Sequence, residues 1–258
     1  MTALSIIVPA YNESDRLPAT VRAMLRFLDE DGRKAEVIVV DDGSRDTTSG
    51  VVREMAAHDG RVTLIRLPQN RGKGYAVRTG VVNAAGARVL FADADGATPI
   101  EEVKRLESHL DAGAHVAIGS RGIADPSVTV RAKINRRLAG RIFHQLVRRL
   151  TVKGFVDTQC GFKLFTAPVA QELFSRMRMD GFSFDVELLM MAMKRGYRVD
   201  EVPVNWTHQP GSKINVVTDG IRMAADLFRI RAFAISGAYD EAHISIAEPS
   251  RTSSTVSR

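Results

Sequence analysis

Apolar positions in the first half of the chain alternate between two rhythms. Short unbroken runs, "LSIIVPA" (4–10), "EVIVV" (36–40), "VTLIRL" (62–67), "RVLFA" (88–92) and "HVAIG" (115–119), have the composition of strands buried on both faces. Between them, apolar residues recur at helical spacing over Pro18–Asp29, Thr47–His58, Gly74–Ala85 and Pro99–Asp111. Strand and helix in alternation predict an α/β class with a Rossmann-like, mostly parallel central sheet flanked by helices.

After Arg121 the rhythm changes. A basic stretch with helical spacing covers Val128–Leu150, and a polar knot, "DTQCGFKLF" (157–165), follows it. Helices are expected from Pro168 to Met177, over 182–196 and from Val216 to Ala234, with a strand-like "YRVDEVPVNW" (197–206) among them. One domain over 1–238, dividing functionally at 121/122, fits this layout. Residues 239–258, rich in Ser, Thr and charge, are expected to form a disordered tail.

Composition narrows the classes. The 258 residues are 45% hydrophobic, an ordinary globular composition. Cys160 is the only cysteine, which excludes an internal disulfide and a cysteine-based zinc site and fits a reducing compartment. The opening "MTALSIIVPAYNE" has no signal-peptide pattern, and no apolar run is long enough to span a bilayer. The expected location is the cytoplasm, or the cytoplasmic face of a membrane.

The net charge of +6 is local. Residues 126–156 hold eight Lys and Arg and no acidic residue, so the remainder sums to −2. A nucleic-acid binder would spread its cations over a face with aromatic stacking partners, which are few here; no nucleic-acid partner is expected. Arg136, Arg137, Arg148 and Arg149 alternate with Leu138, Ile142, Phe143 and Leu146, as in a basic amphipathic helix suited to an anionic membrane surface. The later helix, with Ile221, Leu227, Phe228, Ile230 and Phe233 beside Arg222, Arg229 and Arg231, has the same character.

Ligands of parallel α/β sheets bind outside the carboxyl ends of the strands. Four polar motifs fall there: "PAYNE" (9–13), "DDGS" (41–44), "NRGKG" (70–74) and "DADG" (93–96). Asp93 and Asp95 offer hard oxygen ligands for Mg²⁺ or Mn²⁺, ions that keep waters and take further ligands from substrate phosphates. An EF-hand is excluded, because position twelve from Asp93 is Lys104. Asp41 and Asp42 suit hydrogen bonds to a base or ribose, or else a β-turn. Arg71 and Lys73 can meet phosphates. Together these strand ends describe a nucleoside diphosphate held with a divalent ion.

In order along the chain, "VPAYNE", "VVDDGS", "NRGKG", "DADGATP", "GSR", "DTQCGFKLF", "FDVELL" and "NWT…GSK" resemble a family-2 glycosyltransferase of the GT-A fold. More narrowly they are similar to the dolichyl-phosphate β-glucosyltransferases and their bacterial polyprenyl-phosphate relatives, over roughly 4–236. The resemblance implies an inverting, metal-dependent transfer of glucose from UDP-glucose to a polyprenyl phosphate, dolichyl or undecaprenyl. It makes 1–121 the nucleotide-binding half and 122–238 the acceptor- and membrane-facing half. Pro9, Tyr11 and Glu13 would line the nucleoside pocket, with Asp42 and Asp41 on base or ribose. Asp93 would hold ribose or help the ion that Asp95 ligates. Arg121, Arg131 and Lys213 would meet the acceptor phosphate, and Gln159 and Cys160 would shape the sugar pocket. Asp185 and Glu187 would contact sugar hydroxyls or the reacting centre, or simply form an acidic first turn that complements the helix dipole. Eukaryotic enzymes of this kind carry an N-terminal membrane helix, whereas this sequence opens on the first strand; attachment through other segments, or through a separate integral-membrane partner, is expected.

A lipid phosphate, with a second pKa of about 6, is largely dianionic at neutral pH and needs no general base; a hydroxyl acceptor would. Other donors, UDP-GalNAc, UDP-GlcNAc or GDP-mannose, remain open, as does a non-catalytic nucleotide-sugar-binding module at a membrane. A haloacid-dehalogenase-type phosphatase is disfavoured, since its D-x-D belongs near the first strand and needs a later G-D-x-x-x-D.

Overall fold

The computed structural model describes residues 2–131, 152, 154–211 and 216–240. Every residue of β1 (Leu4–Ala10) is buried; β2 (Ala35–Asp41) and β4 (Arg88–Ala92) flank it and β3 (Val62–Arg66) pairs with β2, all in parallel, in the order β3-β2-β1-β4. Beyond β4 the sheet continues through β7 (Phe162–Thr166), β5 (Val116–Ser120) and β8 (Val199–Pro203). β7 runs antiparallel to both neighbours, whereas β5 and β8 are parallel to each other. A short parallel pair, β6 (Val130–Arg131) with β9 (Trp206–Thr207), stands apart from the main sheet.

Alternating side chains send each strand's residues into one of two cores. Leu4, Ile6 and Val8 of β1 pack with α1 (Leu17–Asp31), α2 (Thr48–His58) and α4 (Val103–Asp111). Ile7, Ile38 and Phe91 face the opposite layer: α3 (Lys73–Val82), α5 (Ala167–Arg176), α6 (Phe184–Lys194) and α7 (Val216–Ile235). Pro18 in the first turn of α1 and left-handed Gly32 at its end set that helix's limits.

Three expectations change. The polar knot at 157–165 is half strand: Phe162–Thr166 enters the sheet between β4 and β5. The one charged residue of that strand, Lys163, is fully buried and neutralised by Asp185 of α6, so a sequence that reads polar fills a central position. The segment 197–206 splits into β8 and β9, which belong to different sheets. Tyr239, expected to open a disordered tail, is 1% exposed and packs into the α-layer core. Most of the basic stretch at 128–150, Lys213 and residues 241–258 lie outside the described residues. Among the described residues no helix is long and apolar enough to cross a membrane.

Candidate active site

The carboxyl ends of β1, β2 and β4 converge on a cleft of ≈ 350 Å³ that Pro9, Tyr11, Glu13, Asp42, Lys73 and Asp93 help to line. A second lobe of ≈ 210 Å³ continues past Asp93 and Asp95 to Arg121, Gln159, Asp185 and Trp206. Lys73, Asp93, Asp95 and Phe182 line both lobes.

The turn after β4 aims the two carboxylates. Asp93 donates its N–H to Gly161 O (3.0 Å), and Asp95 Oδ1 accepts the Ala97 N–H (3.0 Å). Gly161 is required: a Cβ there would overlap the Asp93 carboxylate. Asp93 meets Lys73 Nζ at 2.5 Å, while Asp95 Oδ2 stands 3.9 Å from Arg16 Nη1. Burial and the nearby Asp93 charge raise the Asp95 pKa, a tension that a cation relieves. Burial opposes the Lys73 ammonium, but Asp93, Asp185 and Asp95 outweigh it and hold its pKa above the ordinary lysine value.

The donor set fits a divalent ion of a particular kind. Both carboxylates are partly open, with side chains 36% (Asp93) and 27% (Asp95) exposed. Among the described residues no group of three or more His, Cys, Asp or Glu could hold a metal unaided. Two hard oxygen donors on a cleft wall suit Mg²⁺ or Mn²⁺ sharing a diphosphate and water.

Asp41 and Asp42 part company. Asp41 is fully buried and accepts the Ser44 N–H (2.8 Å) and the Ser49 hydroxyl; it does not line the cleft. Asp42 does line it, and its two oxygens accept the Arg71 and Gly72 N–H groups (2.7 and 2.8 Å). Burial raises the Asp42 pKa in spite of these bonds. Arg71 is not among the lining residues either: its guanidinium stacks over Tyr75 at 4.3 Å, with Asp180 3.7 Å away. In "NRGKG" the glycines admit protein backbone, because a Cβ at Gly72 or Gly74 would strike the carbonyl of Asp180 or Met179.

On the acceptor side, Arg121 is gripped by Asp157, which accepts its backbone N–H (3.0 Å), Nε (2.6 Å) and Nη2 (2.8 Å). Burial opposes the Arg121 charge, yet Asp157 raises its pKa; Arg121 in turn overcomes burial and lowers the pKa of Asp157. The guanidinium also lies 5.5 Å over the Trp206 ring. Asp185 accepts from Lys163 Nζ (2.6 Å) at the floor of this lobe. Gln159 and His208 line it too.

Besides Asp41 and Arg71, four more expected site residues lie away from both lobes or outside the described residues. Glu187 is fully buried and its carboxylate holds the backbone of 178–179, away from both lobes. Cys160 is buried in the core that packs with α1, α2 and α4 and lines neither lobe, and burial, reinforced by Asp157, pushes its thiol up to about 12. Arg131 is exposed on β6 and lines neither lobe, and Lys213 is outside the described residues. Conversely, Arg16, Asp157, Lys163, Phe182 and Trp206 belong to the site or its support without having been singled out. The signal available for Lys163 was a lone lysine flanked by Phe162, Leu164 and Phe165; for Arg16 it was its place three residues after Glu13.

The sequence profile of Glycosyl transferase family 2 matches residues 5–174. A dolichyl-phosphate beta-glucosyltransferase of Dictyostelium discoideum is 39% identical over 242 residues, covering 88% of this chain and 73% of that protein. Its counterpart in Homo sapiens is 40% identical over 249 residues, covering 92% and 77%. Among solved structures, glucosyl-3-phosphoglycerate synthase from Mycobacterium tuberculosis in complex with phosphoglyceric acid superposes with a TM-score of 0.69 at 19% identity, over 90% of this chain and 80% of that one. The same synthase in complex with Mn²⁺ and UDP-glucose gives a TM-score of 0.65 at 18% identity, over 92% and 79%. At such identity the likeness is one of fold.

Proposed function

Because the chain belongs to glycosyltransferase family 2 and has its GT-A fold, we propose that it transfers glucose from UDP-glucose to the phosphate of a polyprenyl lipid of the dolichyl type. The product is the β-linked lipid-phosphate sugar. One observation carries the reading: the cleft is continuous across Asp93 and Asp95, with a nucleoside-sized lobe on one side and the anchored Arg121 on the other. Two dolichyl-phosphate beta-glucosyltransferases, 39% and 40% identical over most of the chain, support the choice of sugar and acceptor.

Pro9, Tyr11 and Glu13 surround the nucleoside, and Asp42 holds the 70–72 loop against it. Asp93 and Asp95 would hold Mg²⁺ or Mn²⁺, which when bound neutralises charge on the leaving diphosphate. Lys73 adds a fixed positive charge between Asp93 and Asp185. Arg121, locked in orientation by Asp157, receives the acceptor phosphate, and Asp185 with Gln159 faces the sugar. A phosphate oxygen of the lipid attacks the anomeric carbon as its bond to the UDP oxygen breaks, the bonding pair leaving with UDP. The attack comes from the opposite face, so the α-linked donor yields a β product. No proton has to be removed, because the lipid phosphate is largely dianionic at neutral pH.

The enzyme works peripherally on the cytoplasmic face of a membrane. The outward Ile221, Phe228 and Ile235 of α7, 60–77% exposed, support that attachment, and the reduced Cys160 fits the compartment.

The test is a panel of labelled UDP- and GDP-sugars with a short polyprenyl phosphate and Mn²⁺ or Mg²⁺. Glucose is expected to be transferred, and Asp95→Asn to abolish transfer. Full activity in that variant, or transfer of a different sugar only, overturns the reading.

A further inference from the structure

The wall shared by the two lobes of the cleft is the segment 177–183, in which Gly181 lines the nucleotide lobe and Phe182 lines both. Its backbone is held from two sides. On the cleft side, the Asp180 carbonyl accepts the Tyr75 N–H (3.1 Å) at the start of α3, and Arg78 donates to Met177 O (2.7 Å) and to the Asp180 carboxylate (2.9 Å). On the far side, Glu187 Oε1 accepts the Arg178 N–H (3.0 Å) and Oε2 the Met179 N–H (2.9 Å).

That far-side hold is completed by the turn that follows α7. The Tyr239 hydroxyl donates to Glu187 Oε1 (2.9 Å), and the carbonyl of Ala238 accepts both Nε and Nη2 of Arg178 (3.1 and 2.8 Å). Arg195 of the turn after α6 donates to Tyr239 O (2.9 Å), and the Tyr239 ring meets Phe233 edge-on at 6.1 Å. Glu187 and Tyr239 are both closed to solvent. A carboxylate that is fully buried and already engaged by two backbone N–H groups and a phenol has no access to substrate, so its influence must travel through the backbone it grips.

We propose that Glu187 and Tyr239 form a clasp that couples the seating of α7 to the position of the 177–183 wall, with Glu187 acting as a positioning residue for the donor nucleotide. α7 is suited to carry such a coupling. It places Met223 in the acceptor lobe, shows Ile221, Phe228 and Ile235 to the outside at every seventh position, and runs through the turn at 236–240 into the clasp. A change in how the helix rests on its outer face therefore reaches the cleft by two routes, the acceptor lobe through Met223 and the dividing wall through Tyr239. The wall in turn abuts Gly72 and Gly74, the glycines beside Lys73, so a shift of 178–181 displaces the start of α3. This inference rests on the glucosyl-transfer reading only for its kinetic readout.

The test compares Tyr239→Phe, Tyr239→Ala and Glu187→Gln in the full chain, with Val52→Ala as a core-destabilised control on the opposite side of the sheet. Amide hydrogen exchange of 177–183, UDP affinity by calorimetry in Mn²⁺, and the KM for UDP-glucose are measured for each. Losing a hydrogen bond of the buried Glu187 carboxyl is expected to speed exchange in the wall and weaken UDP binding by about tenfold in Glu187→Gln and Tyr239→Ala. Tyr239→Phe, which keeps the ring packing, is expected to fall between these and the wild type. Val52→Ala is expected to leave UDP affinity unchanged at a comparable loss of melting temperature. The clasp is overturned by unaltered wall exchange, by unaltered UDP affinity of the folded variants, or by an equal affinity loss in Val52→Ala. If the wild type binds UDP but transfers no glucose, the functional reading fails, and exchange and UDP affinity still decide the clasp.

Discussion

The Lys163 ammonium lies 2.6 Å from Oδ1 of Asp185 beneath the acceptor lobe, and the two side chains are 0% and 4% exposed. Lys163 also donates to Cys160 O (2.6 Å), and its ammonium stands 5.2 Å from the Phe91 ring centroid. A buried pair of this kind contributes little net stability compared with an apolar substitute, but removing one partner strands the other charge. Lys163→Met is therefore expected to lower the unfolding free energy by about 3–5 kcal/mol in urea titrations. The double variant with Asp185→Leu should regain much of that loss while transferring no sugar. Additive losses in the double variant would show that the two charges do not depend on each other.

Gly161 sets the position of Asp93. Because a Cβ at 161 overlaps the Asp93 carboxylate, Gly161→Ala is expected to push Asp93 off its ion-binding geometry with little effect on the sheet. The predicted outcome is a weakening of Mn²⁺ affinity in the presence of UDP by about an order of magnitude or more, as when support of a metal ligand is lost. Isothermal titration of Mn²⁺ into the UDP-saturated protein measures it, and an unchanged affinity would remove Asp93 from the ion's surroundings.

The strand ends were legible in the sequence because β1 to β5 are apolar runs with a distinct boundary, and their order along the chain brings their carboxyl ends to one rim. What could not be read is where tertiary contacts overrule local character. Lys163 is tolerated in a central strand only because Asp185, more than twenty positions later, neutralises it. Tyr239 sits in a Ser- and charge-rich neighbourhood and is ordered by Glu187, a partner on α6. Glu187 shares a first turn with Asp185, yet one faces the cleft and the other the 178–179 backbone; two residues along a helix separates them by about 200°, and no motif says which side is which. The glycines of "NRGKG" were equally ambiguous, since close approach by a phosphate and by Asp180 makes the same demand on sequence.

Burial pushes the Glu187 carboxyl up to about 7 from its ordinary 4.5, against the pull of the Met179 and Arg178 N–H groups. Between those two values the folded protein keeps a proton that the unfolded chain has released. The contribution of this group to stability is thus full below the unfolded value and declines as pH rises through about 7. Glu187→Gln has no such proton to lose. The stability of the wild type relative to this variant is expected to fall between about pH 5 and about pH 8, read as the difference of urea midpoints. A difference that stays flat or rises over that interval would mean that Glu187 is ionised in the fold throughout.

Arg121 is fixed before any phosphate arrives, because Asp157 takes its backbone N–H, Nε and Nη2 together. A lysine cannot reproduce that fork. Arg121→Lys is expected to raise the KM for the polyprenyl phosphate by about tenfold, the scale of one lost charge-assisted hydrogen bond, with the KM for UDP-glucose little changed. Equal rises for both substrates would place Arg121 on the shared diphosphate rather than on the acceptor.

Asp41 and Asp42 are adjacent in sequence and opposite in employment, which makes them a clean comparison. Asp41 accepts from Ser44 and Ser49, with Arg66 Nε 3.9 Å from its Oδ2, and has no surface in the cleft, so Asp41→Ala leaves two buried donors unpaired. The expected cost is about 1–3 kcal/mol of stability, with UDP affinity of the folded protein unaltered. Asp42 lines the nucleotide lobe and holds the Arg71 and Gly72 amides, so Asp42→Ala removes a cleft carboxylate and frees the loop beside Lys73. UDP affinity is expected to fall by about tenfold or more on loss of such a charged hydrogen-bonding group. Calorimetric UDP binding and thermal melts on both variants read the two quantities separately. If Asp41→Ala lowers UDP affinity as much as Asp42→Ala does, the turn responds as one unit and the division of labour between the two carboxylates does not hold.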